Sequence, residues 1–325
     1  MVQEVTGCME EYDVVIIGGG PAGLTAGLYA SRAKMRALLF ERKWPGGQLL
    51  NTDRIEDYPG FESISGPELA ERMEKQARKL GLKIEMDEAI TIKPHGKRKL
   101  VQTAGEKEYL AKAVIVTAGG EPRKLGVPGE AKFTGRGVSY CAICDGAFFQ
   151  NQVVAVVGGG DAAVEEGMFL TRYASKVYII HRRSELRASR DIQEKARQNP
   201  KMEFILNALV EEIHGGEQVE YLTLLRNGER QRLDVSGVFV FVGFVPNTEM
   251  FYEPVERDKQ GHVVTSAHME TSIPGIFAAG DVRSQLTRQI STAVGDGTTA
   301  AVAAQHYVES LADEEARSKD PQLVG

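Results

Sequence analysis

Tyr12-Asp-Val-Val-Ile-Ile17-Gly18-Gly-Gly20-Pro21-Ala22-Gly23 is the stretch that decides the fold. Tyr12 to Ile17 is a short apolar run that suits a parallel strand buried on both faces, and Leu24 to Ala33 reads as the helix that follows. Gly18 permits a tight turn, Gly20 lets the backbone approach a pyrophosphate, and Gly23 allows close packing of helix on strand. The helix N-terminus then faces the anion with free N–H groups. The same order recurs downstream. Gln152 to Val157 is a second strand, Gly158-Gly-Gly160-Asp161-Ala162-Ala163 a second glycine turn, and Ala162 to Leu170 a second helix. Ala163 takes the place of the third glycine, a variation the motif accepts.

The two copies differ where a nucleotide's ribose would lie. In a Rossmann unit the end of the second strand, about 20 residues past the glycines, contacts that sugar. The first copy has Ala37 to Phe40 ending at Glu41, whose carboxylate accepts hydrogen bonds from a free diol and repels a 2′-phosphate. The second has Lys176 to Ile180 ending at His181-Arg182-Arg183, where guanidinium groups can clamp a 2′-phosphate through charge-assisted bonds. The first site therefore suits FAD or NAD, and the second suits NADP(H). The competing reading of His-Arg-Arg is a solvated charged edge.

Length and composition agree with this picture. A chain of 325 residues corresponds to about two domains, and 35 glycines are abundant enough for several turns around ligands. The net charge of −6 gives no support to nucleic-acid binding. No apolar run approaches the roughly 20 residues that span a bilayer, and the polar, acidic start MVQEVTGCMEEYD is not a secretory signal. Three cysteines point to a reducing cytoplasm, in which a disulfide is transient or catalytic.

Two of those cysteines form Cys141-Ala-Ile-Cys144-Asp145-Gly146, between the fingerprints. Structural zinc needs about four ligands, and Cys8 together with scattered single histidines (His95, His181, His214, His262, His268, His306) supplies no second pair, so no metal is expected. Cys-x-x-Cys spacing allows a reducible disulfide in which one thiol commonly has a lowered pKa. Asp145 is placed to donate or accept a proton, or simply to cap a turn. Phe148 and Phe149 read either as a docking surface or as core.

The second Rossmann unit interrupts the first. Residues 1–120 are expected to form the first part of one domain, 121–247 an inserted domain that carries the cysteine pair, and 248–325 the remainder of the first. Landmarks are Gly46-Gly47-Gln48-Leu49, a helix over Pro67 to Leu80, short strands from Lys83 to Leu110 and a buried strand at Ala113 to Thr117. Gly275-Ile-Phe-Ala-Ala-Gly280-Asp281 returns to strand and turn, a helix follows from Ile290 to Leu311, and Asp313 to Gly325 read as a solvated tail.

Across nearly its whole length the chain resembles the low-molecular-weight thioredoxin reductases. The carrying residues are GGGPAG at 18–23, GGQL at 46–49, CAICDG at 141–146, GGGDAAVEE at 158–166, HRR with Arg187, and GIFAAGDV with RQ at 275–289. The resemblance implies an α/β fold of two Rossmann-like three-layer domains, with an NADPH domain inserted into a discontinuous FAD domain, and a cytoplasmic homodimer. It assigns Gly18, Gly20, Pro21, Ala22, Gly23 and Glu41 to the FAD pyrophosphate and ribose. Gly47, Gln48, Thr52 and Asp57 fall near the flavin, the Ala89 backbone near the adenine, and Gly280 and Asp281 at the ribityl chain, with Arg288, Gln289 and Ile290 at the ring. Gly160, Asp161, Ala162, Ala163, His181, Arg182, Arg183 and Arg187 fall to NADPH. Cys144 is implied nearer the flavin, Cys141 is implied to attack the partner disulfide, and Asp145 is implied to serve as acid and base. The implied relay passes hydride from NADPH to FAD, then electrons to the Cys141–Cys144 disulfide and on to thioredoxin or a similar dithiol protein, the nicotinamide and dithiol alternating at the flavin by rotation of the inserted domain. Three places depart from the family pattern: Thr117-Ala118-Gly119-Gly120 stands where Ala-Thr-Gly is general, Asp57 where Asn is common, and Ala147 where some relatives have an aromatic.

Other readings predict different behaviour. A ferredoxin-linked flavoprotein reductase would keep its activity after Cys141→Ser, and a reductase of another dithiol carrier differs only in partner. A non-catalytic redox sensor would not sustain NADPH oxidation.

Overall fold

The computed structural model describes residues 9–52 and 55–319, so Cys8 and the last residues of the expected tail lie outside the described residues. The chain forms two compact units, Met1–Glu121 with Pro246–Gly325, and Pro122–Val245.

In the first unit the parallel strands lie in the order Lys83–Met86, Ala37–Glu41, Glu10–Ile17, Glu108–Val116, Ile276–Ala278. Glu10–Ile17 comes first in the chain and sits in the middle, which makes it the switch point where the strand order reverses. In such sheets ligands bind beyond the carboxyl ends of the strands. Val14, Val15 and Ile16 are fully buried because both faces of this strand are covered. On one face Val14 and Ile16 pack with Leu24 and Ala26 of helix Pro21–Arg32 and with Ala300, Ala301 and Ala304 of helix Ile290–Lys319. On the other, Val15 and Ile17 meet Phe40, Met250, Phe251 and Val263. On the edge away from Glu10–Ile17, Glu108–Val116 serves two partners. Its first half pairs antiparallel with Arg98–Thr103, which pairs in turn with Ala89–His95, whereas residues 114–116 pair with Ile276–Ala278.

The second unit repeats the plan with a different outer layer. Its parallel sheet runs Met202–Leu206, Lys176–His181, Val153–Gly158, Gly237–Phe241, Val138–Ser139. Val154, Val156 and Phe239 pack on Ala163, Val164 and Leu170 of helix Asp161–Leu170. The opposite face, Ala155, Val157, Val238 and Val240, is covered by Val210, Ile213, Leu222 and Leu224 of the antiparallel strands Ala208–Gly215 and Val219–Arg226.

The chain crosses between the units at Gly120–Pro122 and Phe244–Pro246, two short strands that pair with each other. In the first unit the Asn247 side chain donates to Ala118 O at 2.8 Å and its N–H to Gly119 O at 3.0 Å. In the second, Arg123 N–H donates to Gly243 O at 2.9 Å.

The expected tail is corrected in part, because helix Ile290–Lys319 continues through residues 313–319. Nothing in Asp313-Glu-Glu-Ala-Arg317 breaks a helix, and Glu314 and Glu315 find partners on the adjacent hairpin. Lys97 pairs with Glu314 at 3.2 Å, and Arg98 pairs with Glu315 and Glu11, each at 2.7 Å.

Phe277 is 2% exposed and meets the Tyr307 ring edge-on. Phe277→Ala is expected to cost about 3–5 kcal/mol of stability, the range for emptying a buried phenylalanine site. Urea unfolding followed by circular dichroism measures it, and a loss below about 1 kcal/mol would contradict this packing.

Candidate active site

The first glycine turn follows the carboxyl end of Glu10–Ile17. Gly18 has φ +105°, and a Cβ there would lie 2.5 Å from Thr117 O. A Cβ on Gly23 would collide with Gly18 O, so helix Pro21–Arg32 can begin this close to the strand only without a side chain. Beside Gly20 the nearest atom to such a Cβ would be Gly47 Cα at 3.9 Å, and no side chain caps the helix. An open space therefore faces uncapped N–H groups, as a pyrophosphate requires. Glu41 ends its strand against this turn: one carboxylate oxygen accepts from Gly19 N–H at 2.7 Å and the other from Lys43 N–H at 2.9 Å. Gly46 N–H donates to Gly19 O at 2.8 Å, which brings Gly47 alongside Gly20. Gln48 follows in the short helix Gly47–Asn51 and donates to Gly120 O at 3.1 Å, and Thr52 Oγ1 donates to Gln48 O at 3.3 Å.

The second turn has the same backbone plan and opposite chemistry. A Cβ on Gly158 would meet Phe241 O at 2.5 Å, and beside Gly160 nothing lies within 4 Å. A Cβ on Gly159 would overlap the imidazole of His181. His181 is buried, and its Nε2 has no hydrogen-bond partner among the described residues. Burial lowers its pKa, and the guanidinium groups of Arg187, Arg183 and Arg182 lower it further. Those three arginines are exposed. Arg187 and Ala188 donate their N–H groups to Gly159 O at 2.6 and 3.0 Å, so the loop after His181 folds back over the turn. Asp161 is held by Ser189 N–H at 2.6 Å; Ala162 is exposed at the helix start and Ala163 is buried. An open glycine turn ringed by fixed positive charge fits a nucleotide with an extra phosphate.

Cys141 and Cys144 form a disulfide with their Cα atoms 5.4 Å apart. Cys141 caps the short helix Ala142–Asp145, and Cys144 N–H donates to Cys141 Sγ at 3.2 Å. A donor aimed at that sulfur favours its thiolate once the bond is opened. Ser139 Oγ accepts from Cys141 N–H at 3.1 Å and donates to Cys141 O at 3.2 Å. Ala142 is buried against the second unit's core, whereas both cysteines are partly exposed and Ile143 between them is exposed. Asp145 is partly buried and its N–H donates to Cys141 O at 3.2 Å. Phe149 stands edge-on to Phe239 at 5.2 Å in the core, and Phe148 packs on the same cluster.

Near the carboxyl end of Ile276–Ala278, Gly280 lies against Ala22 and its N–H donates to Asp296 at 3.0 Å. Asp281 follows, with its carboxyl pushed up to about 6 by burial and by Asp296, against the pull of Arg288. Gln289 N–H donates to Thr292 Oγ1 at 3.1 Å, and Ile290 begins the long helix. Asp57 is exposed after the Ile55–Ile64 bridge, and Ala89 is buried at the start of Ala89–His95. Three groups escaped the sequence reading. Asp296 also binds Arg283 at 3.2 Å, and its signal was a lone acid between glycines in a run of small residues. Glu130 is buried and accepts from Leu125 N–H, Gly126 N–H and the hydroxyl of Tyr140, the residue before Cys141. His262 sits between Asp258 and Arg288.

Two nucleotide-shaped turns of opposite strand-end chemistry, with a reducible disulfide in the second unit, define a nucleotide-dependent oxidoreductase acting on sulfur. Residues 12–297 match the model of the pyridine nucleotide-disulphide oxidoreductase family. The chain is 50% identical over 303 residues to a thioredoxin reductase of Bacillus subtilis strain 168, covering 92% of this chain and 96% of that one. A solved thioredoxin reductase from Streptococcus pyogenes MGAS5005 superposes with TM-score 0.89 at 46% identity, covering 92% of this chain and 99% of that one. One from Giardia duodenalis gives TM-score 0.89 at 33% identity, with 93% and 100% covered. The chain belongs to the pyridine nucleotide-disulphide oxidoreductase family and, within it, to the thioredoxin reductases. Membership brings FAD and NADPH as cofactors.

The raised Asp281 pKa has a definite sign. Its ordinary value is 3.8 and its folded value about 6, so its contribution to stability is full below the ordinary value and is lost as pH rises through 6. Asp281→Asn, which cannot ionise, is expected to leave the cofactor-free protein more stable than wild type at pH 7.5 and level with it near pH 4. Paired urea titrations at the two pH values decide it; an equal gap at both would contradict the burial argument.

Proposed function

We propose that this protein reduces the disulfide of thioredoxin, or of a closely similar dithiol protein, at the expense of NADPH. The observation that carries the proposal is the partly exposed Cys141–Cys144 disulfide, built into the same unit as an arginine-ringed glycine turn. The first unit holds FAD: the turn from Gly18 to Gly23 takes the pyrophosphate, Glu41 the ribose, and Asp281, Arg288 and Gln289 the flavin end. In the second unit Gly160, Asp161 and Ala163 take the NADPH pyrophosphate, and Arg182, Arg183 and Arg187 clamp its 2′-phosphate. FAD, when bound, supplies a carrier that accepts two electrons from NADPH and yields them to the disulfide.

The residues of the chain then carry the sulfur chemistry. Opening the Cys141–Cys144 bond takes two electrons and yields two sulfurs, one kept as thiolate and the other protonated, with Asp145 as the proton donor. The Cys141 thiolate, favoured by Cys144 N–H, attacks one sulfur of the partner's disulfide and expels the other as thiolate. Asp145 takes the Cys144 proton, and Cys144 attacks Cys141 Sγ, which closes the internal disulfide and frees the reduced partner. A homodimer in the cytoplasm completes the reading. No helix among the described residues is long and apolar enough to cross a membrane.

The purified protein is expected to show a flavin spectrum and NADPH-driven reduction of thioredoxin. Cys141→Ser should abolish that reduction and leave the flavin bound; retained activity would favour a ferredoxin-linked reductase, and absent NADPH oxidation with flavin present would favour a sensor. Replacing Arg182 and Arg183 with Gln should raise KM for NADPH about tenfold or more, the equivalent of about 1.4 kcal/mol, with KM for NADH little changed. Equal losses for both nucleotides would remove the arginine assignment.

A further inference from the structure

His262 is 4% exposed, in the turn that leads into the bridge between Val263 and Arg283. Its Nε2 lies 2.8 Å from Arg288 Nη2, and its Nδ1 lies 3.2 Å from the Asp258 carboxylate. A guanidinium has only donors, so Nε2 must accept and the ring proton must sit on Nδ1, facing Asp258. Asp258 is fixed in turn, because its Oδ1 accepts from the N–H groups of Gln260 and His262, each at 2.9 Å. The three side chains form a line in which a rigid carboxylate sets the tautomer of a buried imidazole, and the imidazole holds one arm of Arg288. Arg288 also acts on Asp281, whose ionisation it favours. The other charged groups nearby are engaged: Arg257 donates to Thr248 O at 3.1 Å, and Arg283 is paired with Asp296 at 3.2 Å.

We propose that His262 is a positioning residue, one that holds Arg288 toward the flavin end of the FAD site only while its Nε2 carries no proton. This rests on the FAD assignment given above. Protonation would set an N–H against the guanidinium N–H, donor against donor and charge against charge, so Arg288 would have to leave. The arrangement resists that change, since burial and Arg288 both lower the His262 pKa while Asp258 raises it. Near neutral pH the ring is an acceptor, and in acid Arg288 is released and FAD is held less tightly. Glutamine can replace the acceptor without titrating, whereas leucine cannot accept at all.

The test uses holoprotein diluted into buffers from about pH 4.5 to 8, with released FAD read by its fluorescence. Wild type, His262→Gln and His262→Leu are compared, with Asp281 kept in all three so that its own acid-range titration is common to them and only the differences are read. Wild type should release FAD over an acid step that is clearly smaller in His262→Gln. His262→Leu should release about tenfold more FAD at pH 7.5, as expected for losing a hydrogen bond to a charged group. An acid step unchanged by His262→Gln, or full retention by His262→Leu at pH 7.5, would overturn the proposal. A second measurement needs no flavin: in ¹⁵N-histidine NMR, Arg288→Gln should raise the His262 pKa, and an unmoved titration would overturn the arrangement itself. Protein purified without flavin would refute the FAD reading, while the NMR titration still decides whether His262 and Arg288 are coupled.

Discussion

In both units the residue that ends the second strand presses on the middle glycine of the turn. Glu41 packs against Gly19 and His181 against Gly159, and the latter contact would be impossible with any Cβ in place. The consequence reaches beyond sterics. Because the strand end touches the turn, its charge lies beside the uncapped start of a helix, where a dinucleotide's ribose and pyrophosphate must sit together. In the assignment proposed above, one backbone plan serves both nucleotides: the carboxylate of Glu41 suits a plain ribose, and His181 with Arg182, Arg183 and Arg187 suits a phosphorylated one.

The dithiol depends on the same economy of placement. It lies on a four-residue helix too short to fold alone, fixed by Ala142 in the core and by the reciprocal bonds of Ser139. Upstream, Glu130 ties Tyr140 to the N–H groups of Leu125 and Gly126, so the chain enters and leaves this region at defined points. Cys141 thus has a rigid base while the residue stays partly exposed, which suits exchange with a protein disulfide.

Much of this was legible in the sequence because its signals are local. The strand, glycine turn and helix of each fingerprint are contiguous, and Glu41 and His181 stand at a fixed distance beyond them. What could not be read depends on residues brought together from far apart. Asp296 serves Gly280 and Arg283, and His262 takes its meaning from Arg288, 26 residues away. The antiparallel layer over residues 208–234 alternates too irregularly, through two register shifts in its first pair of strands, to announce which sheet face it covers. Residues 313–319 look like a solvated tail because they are charged; their helix is held by partners on a hairpin more than 200 residues earlier. Phe149 belongs to the core for a comparable reason, since its neighbour Phe239 lies in a strand that local pattern could not pair with it.

That terminal helix has a consequence for handling the molecule. Its last turns adhere to the hairpin through Lys97–Glu314 and Arg98–Glu315, with Glu11 sharing Arg98. Ion pairs at a surface weaken as counterions crowd in, whereas the alanine seam at Ala300, Ala301 and Ala304 is indifferent to them. Concentrated salt should therefore fray the carboxyl end alone, opening it to a protease while the sheet beneath the glycine turns stays folded.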